Sequence, residues 1–517
     1  MRCFMEKRIK RVFLLIVISL AVVFLLRGIG NYLGISIPWS TIYNVFNRFA
    51  GLYIFLVAIF IFFESKDPSR TLAWLLVLAL LPSVGFFFYL FLGNDIRKRI
   101  RTKNKKNLNY DYVKKAAVLQ QSIIQHVDFV KSTDSRVDDK LINLLLRNSG
   151  SPFSINNEVK VLKNGEETFN SIIHALEEAT DFIHLEYFII RDDRIGRRIR
   201  NILVDKAKQG VAVRIIYDSV GCWQLGDGFF EPLKLAGAQF HPFLPVMSPL
   251  LSRELNYRNH RKIIVVDGQV GFVGGLNIGV EYLGEKELGF WRDTHLRLKG
   301  DSVYTLQNIF LNDWYFVSKE ELSGSYYFPK TTSYGDKVVQ VTSSGPDSQW
   351  FTIHQAYFTM VTTAEKRVWL VTPYLVPDKS LQMALKTAAL SGVDVRIIIP
   401  NKPDHFFVYW ASRDNIQELL EAGVRIFTYE HGFIHSKILL VDDVCGSVGT
   451  ANFDIRSLEI NYEVNAFIYD REVVNQLASD FRMDLQYSKE ILLEDHLRRP
   501  YRERVLEAMA RLVSPLQ

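Results

Sequence analysis

Three long apolar stretches mark the first 95 residues of the chain. They span residues 12–26, 49–63 and 71–93, and Ser19 is the only polar residue of the first. The third runs without charge for about the 20 residues that a bilayer requires. The pattern predicts a membrane anchor over residues 1–95 with two to three transmembrane helices. A cleaved signal peptide at the first stretch is the alternative, but no small-residue cleavage site follows it.

Charge orients this anchor only in part. Basic residues precede the first apolar stretch, and a second basic cluster lies at 97–106. The positive-inside rule assigns both clusters to the cytoplasm, which three full crossings cannot satisfy. We expect multi-pass attachment to the cell membrane with the catalytic region facing the cytoplasm, and the number of crossings stays open. The second cluster is either a solvated helix end or a contact for anionic lipid headgroups.

The remainder of the chain alternates strand-like and helix-like stretches, and the alternation occurs twice. Residues 96–150 are predicted to be a basic, polar linker, 151–330 a first half, and 331–517 a second half with C-terminal helices. The halves share a local match, Gly-Val-Ala-Val-Arg-Ile-Ile at 210–216 and Gly-Val-Asp-Val-Arg-Ile-Ile at 392–398. Strands alternating with helices predict an α/β fold of βαβ units with a largely parallel sheet. Two copies in the same order predict an internal duplication with pseudo-two-fold symmetry.

Composition adds little to this picture. The 517 residues are 48% hydrophobic and 23% charged, with a formal net charge of +6. The three cysteines have neither metal nor disulfide spacing, which fits a chain whose bulk lies in a reducing compartment.

Each half carries the same chemical motif, H-x-K-x4-D, followed by an Asn ten residues after the Asp. The shared pattern consists of His260, Lys262, Asp267 and Asn277 in the first half and of His435, Lys437, Asp442 and Asn452 in the second. A histidine and a lysine two residues apart on a strand lie on one face of it. Imidazole can act as a nucleophile or as a general acid and base near neutral pH. Lysine and Asn can stabilise charge on phosphoryl oxygens.

Two such motifs brought together predict one centre for a two-step displacement at phosphorus. One histidine would attack the phosphorus, and the other would protonate the leaving alcohol. We therefore expect His260 and His435 to face each other across one pocket. Four further residues lie near predicted strand ends, and packing in the core or at the rim is the simpler interpretation of each: His184, Tyr187, Tyr374 and His405.

At these motifs the sequence resembles the phospholipase D superfamily and, within it, the bacterial cardiolipin synthases. The resemblance extends over residues 256–262, 274–279 and 291–295, over their counterparts at 432–437, 452–457 and 461–463, and over 67–76 in the predicted anchor. It implies two phospholipase D-like halves and the conversion of two phosphatidylglycerol molecules into cardiolipin and glycerol. It further implies a phosphohistidine intermediate and no metal or nucleotide cofactor.

The resemblance also implies residue roles. His260, Lys262, Asp267, His435, Lys437 and Asp442 form the predicted catalytic set, in which the motif Asp is largely structural in related enzymes. Asn277 and Asn452 are predicted to support them. A later acid orients the histidine of the opposite half, so Asp293 is expected to contact His435 and Glu463 to contact His260. His260 is the expected nucleophile and His435 the general acid. A hint from the residues themselves is that Arg258 and Arg261 could hold His260 neutral.

Other functions stay open at this stage. A lipid hydrolase, or a synthase using another alcohol, would have the same catalytic residues. A nuclease of the superfamily would be a basic, groove-like protein, whereas the basic cluster here adjoins the apolar stretches. A non-catalytic scaffold would tolerate the loss of a motif residue, and all six are present. The expected partners are phosphatidylglycerol and membrane lipid, with no nucleic acid. The oligomeric state is not predicted.

Overall fold

The computed structural model describes residues 38, 55, 59, 68–80, 111–124, 136–245, 256–330 and 334–513. The chain divides into two compact units, residues 1–97 and 98–517. In the first unit, helix α1 spans Pro68–Leu80. Within the described ranges, no helix combines the length and the apolar character needed to cross a bilayer. Of the three apolar stretches, the structure describes only residues 55, 59 and 71–80, and it does not describe the basic cluster at 97–106. The anchor therefore stays a prediction.

The second unit begins with two helices in the region predicted to be a linker. Helix α2 spans Asp111–Ile124 and α3 spans Arg136–Ser149. The apolar face of α3 is buried among side chains of the second half, so this part of the region belongs to the core of the second unit. Residues 96–150 are therefore not only a linker.

The first half folds in the predicted alternating order. Its elements are β1 (Phe153–Lys163), α4 (Asn164–Glu178), β2 (Phe182–Tyr187), α5 (Arg194–Lys208), β3 (Ala212–Asp218), α6 (Asp227–Leu235), β4 (Gln239–Phe243), β5 (Ile263–Val266), β6 (Val270–Gly274), β7 (Trp291–Arg292), β8 (Thr294–Lys299) and α7 (Ser302–Ser318).

The second half repeats this order and adds elements at its end. They are β9 (Lys337–Ser344), α8 (Thr352–Thr363), β10 (Arg367–Val371), β11 (Leu375–Val376), α9 (Lys379–Leu390), β12 (Asp394–Pro400), α10 (Phe406–Asp414), α11 (Ile416–Glu421), β13 (Arg425–Tyr429), β14 (Phe433–Ile434), β15 (Ile438–Val441), β16 (Cys445–Gly449), β17 (Phe453–Asp454), α12 (Ile455–Glu459), β18 (Glu463–Ile468), α13 (Arg471–Gln486), β19 (Ser488–Ile491), α14 (Leu493–Leu497) and α15 (Tyr501–Val513).

One continuous 15-stranded sheet joins the halves, in the order β19-β13-β12-β10-β15-β16-β18-β9-β1-β8-β6-β5-β2-β3-β4. Read outward from the β9–β1 junction, the two sides repeat the same order, which confirms the duplication. The prediction of a largely parallel sheet is wrong. Within this 15-stranded sheet, parallel pairing is confined to β2–β3–β4 and β10–β12–β13, because tight turns fold β5 onto β6 and β15 onto β16 as antiparallel hairpins.

The repeated Gly-Val-x-Val-Arg-Ile-Ile segments occupy equivalent positions in the two halves, between a helix and the strand that follows it. Gly210 and Gly392 follow helices α5 and α9 with φ of +93° and +91°. A residue with a side chain rarely adopts this left-handed conformation, so glycine allows each helix to end and the next strand to begin at once. In the strands that follow, β3 and β12, most side chains are buried and the others are partly buried.

Candidate active site

Both His-x-Lys segments lie directly in front of a buried strand, His260 and Lys262 before β5 and His435 and Lys437 before β15. Each lysine curls back to donate to the backbone carbonyl of its own histidine, at 2.8 Å in the first half. The lysine side chains are essentially buried, while the histidines retain 9% and 7% of their exposure. Each half therefore supplies a buried cation behind a slightly exposed imidazole.

Backbone pairing across the two halves sets the position of the histidines. Strand β14 pairs in parallel with β7, so the N–H of His435 donates to the carbonyl of Arg292 at 2.7 Å. In the other direction, the N–H of His260 donates to the carbonyl of Tyr462 at 2.9 Å. In both cases the next residue along the partner strand is an acid. The pairing therefore brings each acid to the histidine of the opposite half.

The acids and histidines pair as predicted. His260 Nδ1 lies 3.0 Å from Oε2 of Glu463, and His435 Nδ1 lies 2.8 Å from Oδ2 of Asp293. Both acids are fully buried. Because a carboxylate only accepts hydrogen bonds, Nδ1 of His260 carries the hydrogen and its Nε2 keeps a lone pair. Nδ1 of His435 lies 2.8 Å from Oδ2 of Asp293 and also 2.9 Å from Nζ of Lys437, and the contact with the buried carboxylate assigns the hydrogen to Nδ1 there too.

A single cavity of about 1030 Å³ is lined by both histidines, which confirms that His260 and His435 share one pocket. Asn277 and Asn452 line the same cavity. The Asn277 amide is held on both sides: its Oδ1 accepts from the N–H of Ile189 at 3.2 Å, and its Nδ2 donates to the Tyr282 hydroxyl at 3.1 Å. Asn452 is not held in this way. Its buried Oδ1 has no hydrogen-bond partner in the described structure.

Burial dominates the electrostatics of the centre. It lowers the pKa of His435 to about 4; Lys437 lowers it further, whereas Asp293 opposes the change. Burial, together with the charges of Lys262 and Lys437, also lowers the pKa of His260, although Glu463 raises it. The pKa values of Lys262 and Lys437 are lowered by burial to about 7 and about 8. Burial therefore disfavours the positively charged form of both histidines and of both lysines.

Lysines, not arginines, are the cations that act on His260. The guanidinium of Arg261 points away to Asp313 and to the backbone carbonyl of Glu463. Arg258 lies 3.3 Å from Asp218 in a buried pair. The interpretation that Arg258 and Arg261 hold His260 neutral is therefore wrong, because each guanidinium is paired with a buried carboxylate.

The motif aspartates lie away from the cavity, at the other end of the strand. Asp267 accepts from the backbone N–H groups of Thr180, Asp181 and Phe182 at 2.8–2.9 Å. Asp442 accepts in the same way from residues 365–367 at 2.7–3.1 Å. Asp267 follows its lysine by five positions along an extended segment, a distance of about 16 Å. Asp267 and Asp442 are therefore structural residues outside the reacting centre, and the prediction that they belong to the catalytic set is wrong.

Four other candidates divide into two pairs. His184 and Tyr187 are buried in the core on β2, where His184 contacts Gln307 at 3.0 Å. Tyr374 and His405 line the cavity, so packing alone does not describe them. The Tyr374 hydroxyl donates to Asp404, another residue of the cavity wall.

Sequence reasoning missed residues that hold the acids and the rings. Thr450, in the Gly-Thr-Ala-Asn element, donates its hydroxyl to the Glu463 carboxylate. The rings of Phe188 and Trp291 pack against His260 and His435, with centroids 5.0 and 5.1 Å apart. The position of Thr450 directly before the Ala-Asn pair was the available signal. Nothing in the pattern marked Phe188.

Two histidines that share a cavity, each oriented by an acid from the opposite half, define a phosphodiester-transfer centre of the phospholipase D type. Comparison with known proteins supports this class. The family described as cardiolipin synthase, phospholipase D-like domain, matches residues 172–314 and 357–485. The family described as phospholipase D-nuclease N-terminal matches residues 51–94.

Similar proteins narrow the class further. A cardiolipin synthase of Geobacillus kaustophilus is 44% identical over 511 residues, which cover 98% of this chain and 99% of the relative. One of Halalkalibacterium halodurans is 45% identical and covers 95% of this chain and 98% of the relative. The crystal structure of the phosphatidylserine synthase of Haemophilus influenzae shares the fold, with a TM-score of 0.57 at 16% identity over 74% of this chain and 97% of that chain. The chain belongs to the cardiolipin synthase family, a group of phosphatidyltransferases in the phospholipase D superfamily.

Proposed function

We propose that this chain joins two phosphatidylglycerol molecules into cardiolipin and glycerol through a phosphohistidine on His260. The observation that carries the proposal is the shared cavity with two cross-paired histidines, because a double displacement needs both an attacking group and an acid. In this scheme His260 is the nucleophile and His435 the general acid and base.

Each step has a defined donor and acceptor. In the first, Nε2 of His260 forms a bond to phosphorus, the bond from phosphorus to the headgroup glycerol oxygen breaks, and His435 gives that oxygen a proton. In the second, His435 takes the proton from a hydroxyl of the second phosphatidylglycerol, whose oxygen bonds to phosphorus as the bond to His260 breaks. Asn452 on the cavity wall, and Lys262 and Lys437 buried behind the histidines, would stabilise the charge on the phosphoryl oxygens.

The lowered pKa values indicate how the site is charged for this reaction. The lowered pKa values favour the neutral form of both imidazoles at pH 7, which suits a nucleophile but not an acid. A phosphodiester brings a negative charge into the same buried space and favours protonation of the imidazoles and of both lysines. In the proposed scheme His435 takes this proton and His260 stays neutral.

The proposal includes the membrane. Residues 1–95 anchor the chain through two to three apolar segments, and the catalytic region faces the cytoplasm. The match of residues 51–94 to an N-terminal family domain supports this assignment of the anchor. A membrane anchor suits a diacyl substrate, because each acyl CH₂ drawn into water costs about 0.8 kcal/mol.

Purified full-length protein in detergent micelles with phosphatidylglycerol alone tests the proposal. Mass spectrometry should find cardiolipin and glycerol in equal amounts. Phosphatidic acid and glycerol as the only products would identify a lipid hydrolase instead. The exposed Asp443, next to a motif aspartate, provides a control variant: Asp443→Asn should give the same products at the same rate.

A further inference from the structure

The C-terminal helix α15 has an unusual distribution of polar and apolar side chains. Its inward face carries Glu503, Glu507 and Ala510, and the last two are almost fully buried. Its outward face carries Tyr501, Val505 and Met509, which are 80%, 39% and 58% exposed. The helix therefore buries acids and exposes an apolar stripe.

The inward acids have partners that fix this orientation. Arg413 on α10 lies 3.5 Å from Glu503 and 3.8 Å from Glu507, and Arg499 donates to Glu507 at 2.9 Å. Ala510 packs with Ala411, also on α10. Rotating the helix to bury its stripe would leave the acid of Glu507 without these cations, so the outward apolar face is built into the packing.

Basic residues flank the stripe. On a helical wheel of 100° per residue, Tyr501, Val505 and Met509 span about 80°. Arg502 lies beyond one edge and Arg504 beyond the other, and both are exposed. An apolar stripe between arginines matches the interface of an anionic bilayer, with acyl chains below and phosphate groups beside it.

The stripe is connected through α10 to the mouth of the catalytic cavity. Helix α10 begins with Phe406 and Phe407, which line the cavity and are still 55% and 56% exposed. The helix that holds α15 thus also presents two aromatic rings where a substrate would enter. A lipid passing from a bilayer to the histidines would meet these rings first.

We propose that α15 and the start of α10 form an interfacial docking surface for anionic phospholipid bilayers, which brings the cavity mouth to the headgroup level. The surface is defined by Tyr501, Val505, Met509, Phe406 and Phe407, flanked by Arg502 and Arg504. The proposal rests on the proposed function only for the identity of the lipid that enters the cavity. Contact with the bilayer is a separate property of the surface.

The first test measures that contact in the full-length chain. In a chain with Cys3→Ser, whose Cys222 and Cys445 are buried, a fluorophore is attached through Met509→Cys or Phe407→Cys. The protein is placed in nanodiscs of phosphatidylglycerol and phosphatidylcholine. Brominated acyl chains should quench both labels, and a label at Leu390→Cys, on the 74% exposed side chain of α9, should not be quenched. Unquenched labels at 509 and 407, or cross-linking of Met509→Cys to a second copy or to residues 1–97, would overturn the proposal.

The second test uses turnover. Val505→Asp and Met509→Asp should each reduce cardiolipin formation in bilayers about tenfold, since each removes apolar burial and adds a negative charge beside anionic lipid. Both should leave turnover of short-chain phosphatidylglycerol in detergent micelles unchanged, as should Leu390→Asp in both media. Equal losses in the two media would overturn the docking role. Absence of cardiolipin from the unmodified chain in either medium would instead refute the proposed function, while the quenching result would still decide the docking surface.

Discussion

The buried contact between Asp293 and His435 allows a quantitative test of the acid role. Asp293→Asn keeps the size of the side chain but removes the charge that lies 2.8 Å from the imidazole. An amide can donate to Nδ1, which moves the imidazole hydrogen to Nε2 and leaves no lone pair there to accept the proton of the incoming alcohol. The imidazolium also loses its only buried carboxylate neighbour at hydrogen-bonding distance among the described residues.

The expected loss follows from the burial of the pair. Removing one partner of a buried charged pair costs about 3–5 kcal/mol, and about 1.36 kcal/mol corresponds to a tenfold change in rate. We therefore expect kcat to fall about 10²- to 10⁴-fold in the cardiolipin assay, with thermal stability and yield measured in parallel. Because Asp293 raises the pKa of His435, the alkaline limb of the kcat profile should also move to lower pH. A kcat within tenfold of the unmodified protein, with Asp443→Asn as control, would refute the assigned role of Asp293.

Two further predictions concern the lysines and the motif aspartates. Because the pKa of Lys262 is about 7, its charged fraction falls as the pH rises through that value. Initial-rate measurements should therefore show kcat/KM declining above about pH 7–8. The variant Lys262→Met should lower kcat about 10²-fold or more at every pH in this range. Asp267→Ala should lower the free energy of unfolding by about 2–3 kcal/mol in denaturant titrations, because three backbone N–H groups lose their carboxylate, while kcat per folded molecule stays near that of the unmodified chain. A large kcat loss without destabilisation would return Asp267 to the catalytic set.

The sequence predicted the catalytic centre more fully than the sheet around it. The spacing of His260 and Lys262, repeated at 435 and 437, was enough to predict that each pair lies together, because the two residues are only two positions apart. The contacts of Asp293 and Glu463 came from family resemblance. The pairing that produces them, β7 with β14 and residue 259 with 462, joins segments far apart in the chain, and apolar patterns do not identify strand partners.

Other features depended on tertiary packing. Turns at Asp267 and Asp442 adopt φ of +51° and +52°, which a residue with a side chain seldom adopts. Both are stabilised by hydrogen bonds from loops about 80 residues earlier in the chain, which no local pattern reveals. Similarly, the sequence of α15 has the pattern of an ordinary amphipathic helix, and its ion pairs with Arg413 and Arg499 show that the acidic side is the buried one.

Trapping the covalent intermediate tests the central claim most directly. Protein is mixed with phosphatidylglycerol labelled in its phosphate, quenched at alkaline pH and digested, and labelled peptides are located by mass spectrometry. His435→Ala should retain the phosphatidyl label on His260, His260→Ala should retain none, and the exposed His174→Ala should turn over normally. Label on His435 in the His260→Ala variant would reverse the two roles. Absence of label from all variants, with cardiolipin still formed by the unmodified chain, would contradict the covalent mechanism.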